Sequence, residues 1–339
     1  MTLRTAAAAL ALILGIGGAA AQQKLTISVY GISQDSYRKH LYAPFEAQCG
    51  CKLVVEVGNS SERLAKLEAR KDNPEVDMAV LTDFNALEAA QKGLIDKIDV
   101  SKLSNYDKLY DFARDPIGSN YAVGYTFYST GIIYRTDKVK ISSWKDLWKP
   151  ELKNRLALPN ITTSQGPTLL FMVDRSLGGT TPDFAAAINH IGASRKDVVN
   201  FYERSAQLTQ LFQQDEIWAA VTGRFNWPLV RKLNMPIAWA SLSDGESGGM
   251  NVMALVKGSK NKELALKFMD YWLSAEVQSK IAADLVDSPA NRDAKVSPEA
   301  AESLTYGADM AKAIKFLPPQ TVIDNRVAWL NGWNEKIAR

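Results

Sequence analysis

Short apolar runs alternate with amphipathic helical patterns along most of the chain, and this alternation limits the fold more than any other feature. Residues 25–30 (LTISVY) read as a strand ending at Gly31, and a helical stretch follows over about 35–48. Residues 52–57 (KLVVEV) read as the next strand. Asn59, Ser60 and Ser61 then give a helix-start signal, with Leu64, Ala65, Leu67 and Ala69 at helical spacing behind them. A third strand is predicted over 77–81, and Thr82 and Asp83 open a helix running to Gln91. Such spacing requires right-handed crossovers and a parallel sheet. A second region repeats the style, with strands over 155–158, 217–221, 237–241 and 251–256. Its helices are predicted from Thr162 to 177 and over 203–212, 262–273 and 275–285. The fold class is therefore α/β. No low-complexity linker divides the 339 residues, so two lobes would share an interface rather than hang on a tether.

Residues 1–21 (MTLRTAAAALALILGIGGAAA) read as a cleavable signal peptide. Arg4 is the basic start, an apolar stretch follows, and Ala19-Ala20-Ala21 forms the cleavage site before Gln22. The apolar stretch is short for a membrane span. No cysteine lies near the site, so a lipid anchor is not expected and the mature chain is expected in the periplasm. Cys49 and Cys51 flank Gly50; a local disulfide and two free thiols are both open readings.

With 40 Lys and Arg against 37 Asp and Glu, the net charge of +3 gives no nucleic-acid footprint. No nucleophile elbow, phosphate loop, dinucleotide fingerprint or zinc-protease motif occurs, so no catalytic residue, cofactor or metal ligand is assigned. His40 and His190 read as ordinary side chains. Trp144 and Trp148 read as a surface helix, and Trp218 as core. Polar clusters fall just after predicted strands: Ser33, Asn59 with Ser60, Thr82 with Asp83, and Thr162 to Gln165. Ligands bind outside the carboxyl ends of strands in open parallel sheets, where helix N-termini offer free N–H groups. The aromatic run YAVGYTFY over 121–128 supplies rings for a cleft wall.

The order of segments resembles family 1 of the extracellular solute-binding proteins, the periplasmic receptors of ABC importers, in its polyamine and ferric-iron branch. The resemblance is carried by VYG (29–31), FEAQCGCKLVVEVGNSSERLAKLEA (45–69), NPEVDMAVLTD (73–83) and YTFYSTGIIYRTDKV (125–139). It continues through SSWKDLWKPELKNRLALPN (142–160), SAQLTQLFQQDEIWAAV (205–221), NKELALKFMDYWLSAEVQSKIA (261–282) and DSPAN (287–291). It implies a two-lobed periplasmic binding protein fold (type II), with hinge strands between the lobes. Residues 22–126 and 250–291 would form lobe 1, and 127–249 with 292–339 lobe 2. A monomer would close over one solute and deliver it to an inner-membrane permease.

The expected ligand contacts are Tyr30, Ser33, Asn59, Ser60, Thr82 and Asp83 from lobe 1. Tyr128, Thr163, Ser164, Gln165, Gln207, Arg224 and Asn226 are expected from lobe 2, with Asn251 and Asp287 near the crossover. A polyamine-like amine leads by resemblance, although neutral Asn251 stands where the resemblance implies an acid. Asp83, Asp244, Glu246 and Asp287 are the acids that would replace it. Arg224 and the hydroxyl-rich 162–165 segment would suit an anionic or zwitterionic solute instead. Ferric iron, through Tyr202 and Tyr306, is the lesser alternative, because no Tyr-Tyr pair occurs. An exported enzyme reusing the fold and a receptor reporting to a chemosensor are the rival classes.

Overall fold

The computed structural model describes residues 22–338, and the expected signal peptide lies outside them. Eleven strands form one sheet: β1 (Lys24–Val29), β2 (Lys52–Val57), β3 (Met78–Thr82), β4 (Ile95–Asp96), β5 (Val123–Arg135), β6 (Leu156–Pro159), β7 (Val198–Tyr202), β8 (Ala219–Gly223), β9 (Ile237–Trp239), β10 (Ser247–Val256) and β11 (Lys315–Phe316). Their order is β2-β1-β3-β10-β5-β8-β6-β7, with β4 and β11 beside β10 and β9 beside β5. β2, β1 and β3 are parallel at one end of the sheet, and β7, β6 and β8 at the other.

β5 and β10 tie these two ends together. β10 pairs antiparallel with β3 through residues 251–255 and with β5 through 247–253, while β5 pairs with β8 through 130–134. The core divides where β5 crosses. Phe127 belongs to the apolar cluster around β1–β3, and Ile132 to the cluster around β6 and β8. Reading 123–135 as a continuous strand escaped the sequence because its residues are almost all buried and show no alternation. The C-terminal tail contributes to both clusters: Ala311 and Ile314 to the first, Leu317, Val322, Trp329 and Trp333 to the second.

The helix Asp83–Gln91 and the C-terminal helix Pro319–Lys336 meet across the two clusters. Arg326 grips the Glu88 carboxylate with both ends of its fork, at 2.6 and 2.9 Å. Cys49 and Cys51 are joined by a disulfide, which settles the open thiol question. Two tryptophans depart from expectation. Trp144 is fully buried, donating Nε1–H to the Gly245 carbonyl at 3.0 Å, because the short 3-10 turn Trp144–Trp148 aims it inward. Trp218 is only partly buried, its ring flanked by Lys138 and Arg155. Among the described residues no helix is long and apolar enough to cross a membrane.

Trp144→Ala would remove a fully buried ring together with a buried hydrogen bond. A loss of about 3–5 kcal/mol in unfolding free energy is expected, read from the midpoint shift of a urea titration.

Candidate functional site

Where β1 ends against the crossing strands, an open cleft of about 450 Å³ separates the two ends of the sheet. One end of it is acidic. Asp287 accepts a 2.6 Å hydrogen bond from the Tyr37 hydroxyl, and the Thr126 hydroxyl lies near enough to lower its carboxyl. Tyr125 packs beside it on β5, and the Trp272 ring braces both phenols, 4.5 Å from Tyr125 and 5.5 Å from Tyr37. None of the ion pairs formed by the described residues includes Asp287. Burial pushes its carboxyl up to about 7, against the neighbouring Tyr37 and Thr126 hydroxyls, which lower it. Asp284 at the rim differs: it accepts from Ser36 and His40, and these hold it below the ordinary carboxylate range.

The other end is hydroxyl- and amide-bearing. Tyr30 donates its hydroxyl to Asn251 Oδ1 at 3.0 Å. Tyr128 lies near Ser164, whose hydroxyl lowers its phenol against the burial that raises it, and meets Phe225 edge-on at 5.4 Å. Gly249 lies opposite Tyr128 in the sheet register, and a Cβ there would come within 2.5 Å of the Tyr128 hydroxyl oxygen. Glycine at 249 is what lets that ring lie across β10. Pro228, Leu229 and Lys232 complete the far wall.

Of the residues expected from sequence, Tyr30, Ser33, Tyr128, Ser164, Asn251 and Asp287 line this cleft. The other nine do not. Asn59 caps the helix Ser60–Ala69 in a box with Glu62, and Thr82 caps Asp83–Gln91. Ser60 accepts from the Thr82 amide and the Asn85 side chain, pinning two strand ends together. Burial raises the phenols of Tyr30 and Tyr128, and the charge of nearby Asp83 raises both further. Thr163 bonds the Asn160 carbonyl, Gln165 is buried against Ser164, and Gln207 is exposed at a helix start. Arg224 donates to the Glu302 carbonyl at 2.9 Å and stacks on Trp239, so its fork is turned to the protein. Asn226 is buried with its amide on the Ser205 carbonyl.

The remaining acids and phenols are also engaged elsewhere. Asp244 caps the Trp144 turn, Glu246 accepts from Trp239, and Tyr202 and Tyr306 donate to the Val221 and Ala294 carbonyls. Sequence reasoning missed Tyr37, Thr126 and Phe225, and left Tyr125 among the aromatic run. Nothing in a helical Tyr37 points to a loop acid 250 residues away.

Asp83 provides a stability test. It stands at the first position of a helix, where the dipole favours its charge, yet burial wins and pushes its carboxyl up to about 7. The folded form holds the proton that the unfolded form gives up near 4, so this contribution is complete below 4 and lost as pH rises through 7. Asp83→Asn is therefore expected to raise the melting temperature at pH 8 by several degrees, with little change at pH 4.5.

The family model described as bacterial extracellular solute-binding protein matches residues 40–316. A spermidine/putrescine-binding periplasmic protein of Escherichia coli is 30% identical over 322 residues, 91% of this chain and 90% of that protein. A putrescine/cadaverine-binding protein of Pseudomonas aeruginosa is 26% identical over 314 residues, 80% of each. Among solved structures, an ABC transporter protein of Clostridium perfringens superposes with a TM-score of 0.83 at 33% identity, covering 92% of this chain and 99% of that one. The chain belongs to the bacterial extracellular solute-binding protein family and has the two-lobed fold of the solute receptors of ABC transporters.

Proposed function

We propose that the cleft captures a small aliphatic amine, polyamine-like in class, and that lobe closure presents it to the permease. The observation that carries this reading is Asp287: a desolvated carboxylate bonded by the neutral Tyr37 hydroxyl, in no ion pair of the described residues, facing an aromatic-walled cleft. An ammonium group supplies the missing charge, and the faces of Tyr37 and Tyr125 attract it as well. The alkyl chain then runs toward Tyr128 and Phe225. The amines in the names of the two relatives support the same class.

The moving parts are residues 22–126 with 250–291 against 127–249 with 292–339. Ile32 and Leu229 stand on opposite lips, 62% and 49% exposed, and closure would cover both. The leader directs the chain to the periplasm, where it acts as a monomer that binds without turnover.

Calorimetric titration with aliphatic amines tests the reading. Asp287→Asn is expected to weaken amine binding by about a hundredfold, because the ammonium loses its counter-charge. Binding requires the ionised carboxylate, so affinity falls as pH drops below 7. Near pH 6 each binding event releases a proton, visible as a buffer-dependent enthalpy. Amine affinity unchanged by Asp287→Asn, or turnover of the amine, would overturn the proposal.

A further inference from the structure

A second unpaired acid borders the cleft. Asp83 opens its helix one residue past Thr82 and is only 9% exposed. Its Oδ1 accepts the Phe84 amide at 2.8 Å, whereas Oδ2 accepts from no other described residue and is not sealed from solvent. Its charge bears on Tyr30 and Tyr128, which both line the cleft. Arg63 sets its guanidinium carbon 3.8 Å from the Tyr30 ring centroid, but the Val80 and Gly58 carbonyls hold it and it forms no ion pair with Asp83. With its carboxyl pushed up to about 7 by burial, Asp83 is mostly ionised at pH 7.5. A desolvated charge of this kind, at a cleft and without a partner, marks a binding group rather than a structural one.

Sheet register sets how far Asp83 stands from Asp287. Thr82 pairs with Asn251, Asn251 with Thr126, and Thr126 bridges to Pro289, in one row across the sheet. Three strand spacings of about 4.8 Å put the two acid-bearing loops about 14 Å apart at the backbone, before their side chains reach inward. Both acids fall in the lobe proposed above to hold residues 22–126 and 250–291, so closure would leave their spacing unchanged. An amine of spermidine length, with eight atoms between its terminal nitrogens, spans such a gap more fully than putrescine, with four.

We infer that Asp83 is a second ammonium seat: Asp287 holds one end of the solute and Asp83 the other, so the site selects linear amines charged at both ends, and long ones over short. This rests on the amine reading above. An ammonium at Asp83 would supply the counter-charge that the fold leaves out, as it does at Asp287.

The test compares 1,8-diaminooctane with 8-amino-1-octanol, the same chain carrying a hydroxyl in place of the second amine, by calorimetry on the full mature chain at pH 7.5. The unmutated protein is expected to bind the diamine about tenfold more tightly. Asp83→Asn is expected to erase that advantage, weakening the diamine about tenfold and the amino alcohol by less than about twofold, whereas Asp287→Asn weakens both. Because Asp83→Asn is also expected to raise the melting temperature of the unliganded protein at pH 8, misfolding would not account for the loss. Equal affinity of the unmutated protein for the two ligands overturns the inference. So does an Asp83→Asn variant that weakens both alike or neither, or putrescine bound more tightly than 1,8-diaminooctane. Failure of 1,8-diaminooctane, spermidine and putrescine all to bind the unmutated protein overturns the amine reading instead, and this inference with it.

Discussion

The antiparallel pairing of β5 with β10 is the interaction on which the rest of the molecule depends. Each strand is long enough to belong to both ends of the sheet, so the two apolar clusters are joined through backbone hydrogen bonds rather than through a loop. A pair of continuous strands resists stretching while tolerating twist, which is what a hinge requires. The Glu88–Arg326 pair adds a second tie between helices that pack on different clusters.

The same strands supply the cleft. Tyr125, Thr126 and Tyr128 come from β5 at the point where the core divides, and Asn251 comes from β10 directly beside Thr126 in the register. The cleft lining and the strands that join the two ends of the sheet are thus one stretch of backbone. In the binding mode proposed above, a solute between Asp287 and the Tyr128–Phe225 wall would touch both lobes, so its binding free energy would bear on the closing motion.

Much of the architecture was legible because it rests on local pattern. The first three strands, the caps at Asn59 and Thr82, and the helices after them follow from apolar spacing and side-chain oxygens within a few residues. The site was legible only in part, for a physical reason. Cap residues and ligand residues share a vocabulary of Ser, Thr, Asn and Asp, and sequence cannot tell a hydroxyl spent on its own helix from one left for a solute. Asn59 and Thr82 are spent in this way, and Ser60 is spent on the neighbouring Thr82 amide and Asn85 side chain. Arg224 illustrates the same ambiguity for charge, since a carbonyl and the face of Trp239 occupy its guanidinium.

By itself the sequence determined the α/β class, the run of parallel units and the family, because alternation and segment order are properties of the chain as written. Only the tertiary structure decided the chemistry of the cleft. Asp287 becomes an uncompensated acid because Tyr37, from 250 residues earlier, closes over it, and Arg63 becomes a hidden cation because Val80 and Gly58 hold it behind Tyr30. Charge in a cleft depends on what burial leaves unpaired, and pairing across such distances is fixed only when the sheet has formed.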